Sequence, residues 1–249
     1  MALEFARAGA AVVLTDRDGD ALPEAADEVA AAGGQAAVWT LDVTDVPRIR
    51  QVREELLAHG GPLDVLVNNA GVVFGGAFLD VPLEEHLRTY RVNTEAVAAV
   101  AHVFLPDLVA RPEAHLVNIA SASGFIGLPF GSTYASSKWA VIGLSESLRL
   151  ELRELGHRHV GVTTVCPSYI DTGMFHGVGV PRGTRMLRPQ RLAQKVLRAV
   201  ERNRPFVITP AMANLAPALR GVLPLALLDA VGSVFGASTS MRSWRGHKN

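Results

Sequence analysis

Tyr134 and Lys138 stand four residues apart at the start of a segment in which Val141, Leu144, Leu148, Leu152 and Leu155 recur at helical spacing. That spacing puts phenol and ammonium on one helix face. A free phenol has a pKa of about 10 and exchanges protons poorly at neutral pH, whereas a nearby ammonium favours the phenolate. The expectation is that Lys138 lowers the Tyr134 pKa and makes its hydroxyl a general acid/base. Ser121 lies thirteen positions before Tyr134, directly after the apolar run Leu116 to Ala120. That run reads as a buried strand delivering its last residues to a sheet edge, so the Ser121 hydroxyl would hold a carbonyl oxygen beside that of Tyr134. Tyrosine and lysine at this spacing also occur on ordinary solvated helix faces. What decides the matter is the company they keep along the chain.

Buried strands alternate with helices over most of the length. Ala11 to Thr15 reads as a strand ending at Asp16, Ala36 to Leu41 as one ending at Asp42, and Leu63 to Val67 as one followed by Asn68 and Asn69. His115 to Ala120, Gly161 to Val165 and Phe206 to Thr209 complete the set. Helices are expected from Met1 to Ala8, Ala21 to Ala32, Thr44 or Asp45 to His59, Leu83 to Leu108 in one or two pieces, Tyr134 to Leu155, and Pro189 to Arg202. This order specifies an α/β fold, a doubly wound parallel sheet of Rossmann type with helices on both faces, and ligands at the carboxyl ends of the strands. The marked polar residues fall at those ends: Asp16, Asp42, Asn68 and Asn69, Ser121, and the turn from Pro167 to Thr172.

A chain of 249 residues, 49% hydrophobic and 19% charged, can bury one substantial core, and a single dinucleotide-binding and catalytic domain over residues 1–249 is expected. The 24 basic and 24 acidic residues cancel, which leaves no footprint for nucleic acid and points to a small-molecule partner. The single cysteine, Cys166, excludes an internal disulfide and reads as a small buried hydrophobe. The eight histidines form no metal pattern, so no metal is expected. The N-terminus does not resemble a secretory signal, and a cytoplasmic location is expected.

The segment Asn68-Asn69-Ala70-Gly71, together with Asn93, Ser121, Tyr134 with Lys138, and Pro167 followed by Thr172, resembles the short-chain dehydrogenase/reductase family up to about Thr209. The resemblance implies an NAD(P)-dependent oxidoreductase that interconverts a secondary alcohol and a ketone or aldehyde. Tyr134 would be the general acid/base, Ser121 would orient the substrate oxygen, Lys138 would tune the phenol and bond the nicotinamide ribose, and Asn93 would support a water relay to Lys138. Asp16 would accept from the adenosine ribose, which favours NAD over NADP, while Arg17 could instead pair with a 2′-phosphate. Asp42 and Val43 would flank the adenine, Asn69, Ala70 and Gly71 would line the cofactor, and Pro167, Ile170 and Thr172 would contact the nicotinamide. A homodimer or homotetramer is implied.

Two departures from the family pattern stand out. Family members begin with a strand and a Thr-Gly-x-x-x-Gly-x-Gly turn, whereas this chain opens inside the following helix. That strand would lie between those of Val12-Val13 and Val65-Leu66. The expectation is a start site placed about 15 to 25 residues too far downstream, with a genuine truncation as the alternative. Ser168 stands where glycine usually follows the proline. The truncated start also keeps a second reading open, a non-catalytic relative that binds or assembles.

Residues 168–188 read as a substrate lid, with Ile170, Met174, Phe175, Val178 and Met186 as an apolar lining for a lipophilic alcohol or ketone. Residues 210–237 form an apolar extension too interrupted to span a bilayer, expected to cover the pocket or a subunit partner; a membrane is disfavoured, though surface association through this segment stays open. The polar end from Arg242 is expected to be flexible.

Overall fold

Strands and helices alternate in the computed structural model as the sequence pattern requires; it describes residues 1–182, 185–236 and 239–246. Helix α1 (Ala2–Arg7) ends before Gly9, which adopts a φ of 92° that L side chains resist. Strand β1 (Ala11–Asp16), helix α2 (Leu22–Ala31) and strand β2 (Gln35–Thr40) follow. Asp45 caps helix α3 (Val46–His59), its carboxylate accepting from the Arg48 N–H at 3.0 Å.

Strand β3 (Val65–Asn68) leads through a long loop to helix α4 (Leu83–Tyr90), a π turn (Arg91–Glu95) and helix α5 (Ala96–Val109). Strand β4 (Ala114–Ile119), helix α6 (Ser132–Glu154) and strand β5 (Val160–Pro167) carry the chemistry-bearing residues. Helix α7 (Pro189–Glu201) starts at its proline, as expected, and strand β6 (Phe206–Thr209) is the last.

All strand pairs are parallel, but the sheet is in two pieces: β1 pairs with β2, and β3, β4, β5 and β6 run side by side in that order. No ladder joins β1 to β3 among the described residues, and this seam falls where the family pattern places an additional central strand. The four-stranded piece is the buried one. Leu116, Val117, Val162 and Val165 are at most 2% exposed, because βα crossovers cover both faces of such a sheet. Helices α3 and α5 pack Ile49, Val52, Phe104 and Leu108 onto one side, and α7 packs Leu192 and Val196 within the cluster around Val117 and Val165.

The stretch Leu83–Val109 is long and apolar enough to cross a membrane, yet half of its most apolar window is buried, and α5 contacts β3 and β4 as a core helix does. The chain continues into helices α8 (Leu215–Val222) and α9 (Leu225–Val234). Arg220 of α8 stacks its guanidinium 4.2 Å from the Trp139 ring centroid, while Leu215, Val222, Leu225 and Val234 stay exposed.

The expectation of a flexible end from Arg242 is corrected by the structure as far as residue 246. Trp244 donates its indole N–H to the Met174 carbonyl at 3.1 Å, the Arg245 N–H bonds the His176 carbonyl at 3.0 Å, and the Arg242 guanidinium lies over the Phe130 ring. An indole with an acceptor in reach buries readily, and that outweighs the polarity of its neighbours. Residues 247–249 lie outside the described residues.

Candidate active site

Ser121 follows β4 at the carboxyl edge of the sheet, and its oxygen accepts from the Ser123 N–H at 3.2 Å and the Ser123 hydroxyl at 3.0 Å. The Ser121 hydroxyl also favours the Tyr134 phenolate, against the effect of burial. Tyr134, 7% exposed, sits in the first turn of α6, its ring edge-on to Phe175 with centroids 5.8 Å apart. Lys138, one turn later, donates to the Ile119 carbonyl at 2.8 Å and so ties α6 to the last residue of β4. Its ammonium lies 5.8 Å from the Tyr134 ring centroid.

The electrostatics differ from the expectation. Burial pushes the Tyr134 pKa up to about 12, opposed chiefly by the Ser121 hydrogen bond, and burial pushes Lys138 down to about 8. Desolvation disfavours both charged forms, and in this enclosed corner it outweighs their mutual attraction. Burial thus keeps the Tyr134 phenol neutral at pH 7, and Ser121, not Lys138, is what opposes it.

Asn93 is fully buried in the π turn, a helix defect that often marks a functional position. Its side chain is spoken for at both ends. The Oδ1 accepts from the Val72 N–H at 2.8 Å, while Nδ2 donates to the Val72 carbonyl at 2.9 Å and to the Ser137 hydroxyl at 3.1 Å. Ser137 in turn donates to the Tyr134 carbonyl at 2.7 Å. Asn93 thus clamps the loop after β3 to the first turn of α6.

The remaining predicted residues arrange themselves along the same edge. A Cβ added to Gly71 would come 3.4 Å from the Asn93 Oδ1 and 3.6 Å from the Lys138 ammonium, so Gly71, which follows Asn69 and Ala70, brings bare backbone beside Lys138. Asp16 is exposed at the end of β1, and one carboxylate oxygen accepts from the Asp18 N–H at 2.9 Å. Asp42 and Val43 follow β2. Thr44 hydrogen bonds hold the Asp42 carboxyl below the usual range, with Arg17 and Arg88 adding to the effect.

Pro167 closes β5, and Ile170 bridges to Leu187, pinning the base of the segment expected to act as a lid. Ile170 itself packs into the cluster around Val117, and Thr172 is exposed. Cys166 is fully buried and its thiol is pushed up to about 12, as a small interior hydrophobe would be. Among the described residues no three His, Cys, Asp or Glu side chains cluster.

A cavity of about 70 Å³ opens onto the Ser121 and Tyr134 hydroxyls. Of the five residues expected to line it, only Phe175 does so. Met174, Val178 and Met186 pack behind it against the cluster that holds Tyr134. The other walls are Ile126, Leu128, Ser168, Tyr169, Pro181 and Ser240. Tyr169 carries a signal, an aromatic two positions after the strand-ending proline. Ser240 carries none, because more than one hundred residues separate it from Tyr134 and only the tertiary fold brings it there.

Nicotinamide dinucleotides fit these residues at both ends. The Lys138 ammonium has three donors, of which the Ile119 carbonyl takes one, and the bare backbone at Gly71 leaves room beside it. The exposed Asp16 carboxylate stands at the far end of the edge. The seam between β1 and β3 lies between the two, where a pyrophosphate would cross.

Comparison with known proteins agrees with this geometry. Residues 1–181 match the short chain dehydrogenase family. The chain is 40% identical over 186 residues to a 1-deoxy-11-beta-hydroxypentalenate dehydrogenase of Streptomyces exfoliatus, covering 74% of this chain and 66% of that protein. It is 35% identical to a probable oxidoreductase EphD of Mycobacterium tuberculosis, covering 91% of this chain but 41% of that protein. The mouse epidermal retinol dehydrogenase 2 is 31% identical over the whole chain and 81% of its own length. So the chain spans about two fifths to two thirds of the first two relatives and more of the third.

Among solved structures, a Burkholderia phymatum short chain dehydrogenase/reductase in complex with NAD has a TM-score of 0.78 at 26% identity, covering 88% of this chain and 89% of that one. A metagenomic short-chain oxidoreductase in complex with NADP has a TM-score of 0.70 at 32% identity, covering 84% and 89%. With a family match over nearly three quarters of its length and the serine, tyrosine and lysine assembled at one sheet edge, the chain belongs to the short chain dehydrogenase family of oxidoreductases.

Proposed function

We propose that this chain interconverts a secondary alcohol and a ketone, or a primary alcohol and an aldehyde, on a lipophilic substrate, with Tyr134 exchanging the proton. The observation that carries the reading is that Ser121 and Tyr134 line one cavity, with the Lys138 ammonium bonded to the Ile119 carbonyl 5.8 Å from the Tyr134 ring centroid. The two hydroxyls converge on one substrate oxygen. In the reducing direction the neutral Tyr134 phenol gives its proton to that oxygen as negative charge develops there, and Ser121 holds the oxygen in place. In the oxidising direction Tyr134 must first lose its proton to solvent, and the phenolate then takes the proton of the substrate hydroxyl as hydride leaves the carbon for the oxidised dinucleotide.

A bound nicotinamide dinucleotide would supply the hydride donor or acceptor. Lys138, Asn69, Ala70, Gly71, Pro167, Ile170 and Thr172 would hold its nicotinamide half, and Asp16, Arg17, Asp42 and Val43 its adenosine half. The exposed Asp16 carboxylate at the end of β1 supports NAD over NADP, since a 2′-phosphate beside it would be repelled. The apolar walls Ile126, Leu128, Phe175 and Pro181 support a lipophilic substrate, as do relatives named for a hydroxypentalenate and for retinol. The exposed stripe Phe78, Leu79, Leu83 and Leu87 supports a homo-oligomer.

The alternative reading is a binding or assembly scaffold that performs no turnover. A panel of lipophilic secondary alcohols and ketones, followed by the absorbance of reduced nicotinamide with either dinucleotide, separates the two. Turnover with at least one member, faster with NAD, is expected. A protein that binds the dinucleotide and converts no member of the panel is the scaffold.

A further inference from the structure

We propose that residues 239–246 form the specificity wall of the substrate cavity, with Ser240 and Met241 setting the size of substrate that reaches Tyr134. The proposal deepens the oxidoreductase reading and rests on it only for the identity of the reacting oxygen. Ser240 lines the same cavity as Ser121 and Tyr134. It is fixed there twice, by a hydrogen bond of 2.7 Å between its hydroxyl and that of Tyr169 and by its carbonyl accepting from the Gly179 N–H at 2.9 Å.

Met241, 1% exposed, is packed in the cluster that contains Tyr134, Tyr169 and Phe175. The room for it comes from two missing side chains. A Cβ at Gly75 would stand 3.0 Å from the Met241 Cε, and one at Gly131 would stand 3.5 Å from its Cγ. Gly75 belongs to the loop after β3 and Gly131 immediately precedes α6, so Met241 wedges between the two segments that flank the catalytic tyrosine.

Downstream, Trp244 and Arg245 bond the Met174 and His176 carbonyls and tie the same segment to the lid. An aqueous volume of about 70 Å³ is only a few times the roughly 30 Å³ share of one liquid water. Met241 packs behind the Leu128, Tyr169 and Phe175 walls, so a longer substrate that pushes these walls back presses into the space Met241 fills. An unbranched thioether in contact with three elements is well suited to that adjustment.

The test is chain-length preference, measured on the full chain with the 2-alkanols from 2-butanol to 2-decanol and by thermal shift with the matching 2-alkanones. For Met241→Ala the kcat/KM ratio of the longest to the shortest alcohol should rise about tenfold, carried mainly by KM. Met241→Val, which removes less of the side chain and keeps the assay usable if the alanine variant folds poorly, should rise by a smaller factor. Met241→Leu, which conserves volume, should stay within about twofold of the wild type. Ser240→Ala and Tyr169→Phe should shift the ratio alike, with no further shift when combined, because each opens the same hydrogen bond.

The thermal-shift series separates the two claims. If no alcohol is converted but the ketone-binding preference still moves in Met241→Ala, the oxidoreductase reading fails and the wall stands. An unchanged preference in both readouts for Met241→Ala and Met241→Val overturns the wall.

Discussion

The two pieces of the sheet are built from similar strands and meet opposite fates. In β4 and β5 nearly every residue is buried, while every residue of β1 and β2 is half-buried or exposed. β4 has a hydrogen-bonded neighbour on each side, and β1 has only β2. The buried piece carries Ser121, faces Tyr134 and Lys138 of α6, and is cross-linked by a polar chain in which Asn68 donates to Asn118 at 2.9 Å and Asn118 to Ser145 at 2.9 Å. The exposed piece carries Asp16, Arg17 and Asp42. The residues proposed to carry the proton chemistry thus stand on a rigid framework, and those expected to hold the adenosine end stand on one that is held less firmly.

Hydrogen exchange should expose this contrast most strongly. Amides of β4 and β5 should exchange only through global unfolding, while those of β1 and β2 should exchange faster by on the order of a thousandfold. Uniform protection across both pieces would erase the distinction.

A pH effect should follow from the buried piece. His115 sits in β4 with its Nε2 2.7 Å from the Thr163 hydroxyl, which donates to the Arg204 carbonyl, so the imidazole is the donor in that contact. Burial pushes its pKa down to about 4 from the ordinary 6.5. Below pH 6.5 the unfolded chain takes up a proton that the folded chain refuses, so stability falls as the pH drops, and the loss is complete near pH 4 at on the order of 3 kcal/mol. Urea midpoints measured between pH 7 and pH 4 should fall less steeply in His115→Gln than in the wild type. Parallel slopes would show that His115 takes up its proton equally in both states.

The smallest contrast is in side-chain truncation. Val165, fully buried in β5, should cost about 2 kcal/mol when cut to alanine, and half-buried Val13 in β1 under about 1 kcal/mol, both read from denaturant unfolding. Equal losses would mean that the seam does not weaken β1.

Much of this was legible because local chemistry is written locally. The run from Leu116 to Ala120 could only be a buried strand, Pro189 marked the start of α7, and Gly9 the end of α1. Ser121, Tyr134 and Lys138 were found by spacing, and the fold brings them together.

What escaped depends on distance in sequence or on competition between forces. The Tyr134 pKa turns on how dry the corner is, and burial by Phe175 and its neighbours cannot be read from an i,i+4 pair. The substrate walls Ile126, Leu128 and Pro181 lie in irregular segments without periodicity. The strap through Met241 and Trp244 looked polar because its arginines dominate the composition, whereas one methionine and one indole decide where it goes.

The measurement that bears most directly on the account is turnover of Tyr134→Phe beside its dinucleotide affinity, each compared with the wild type. Loss of the phenol should lower kcat/KM by about a thousandfold and leave the affinity for reduced nicotinamide dinucleotide within about twofold. Turnover equal to the wild type, at unchanged affinity, would remove Tyr134 from the reaction and contradict the proposed function.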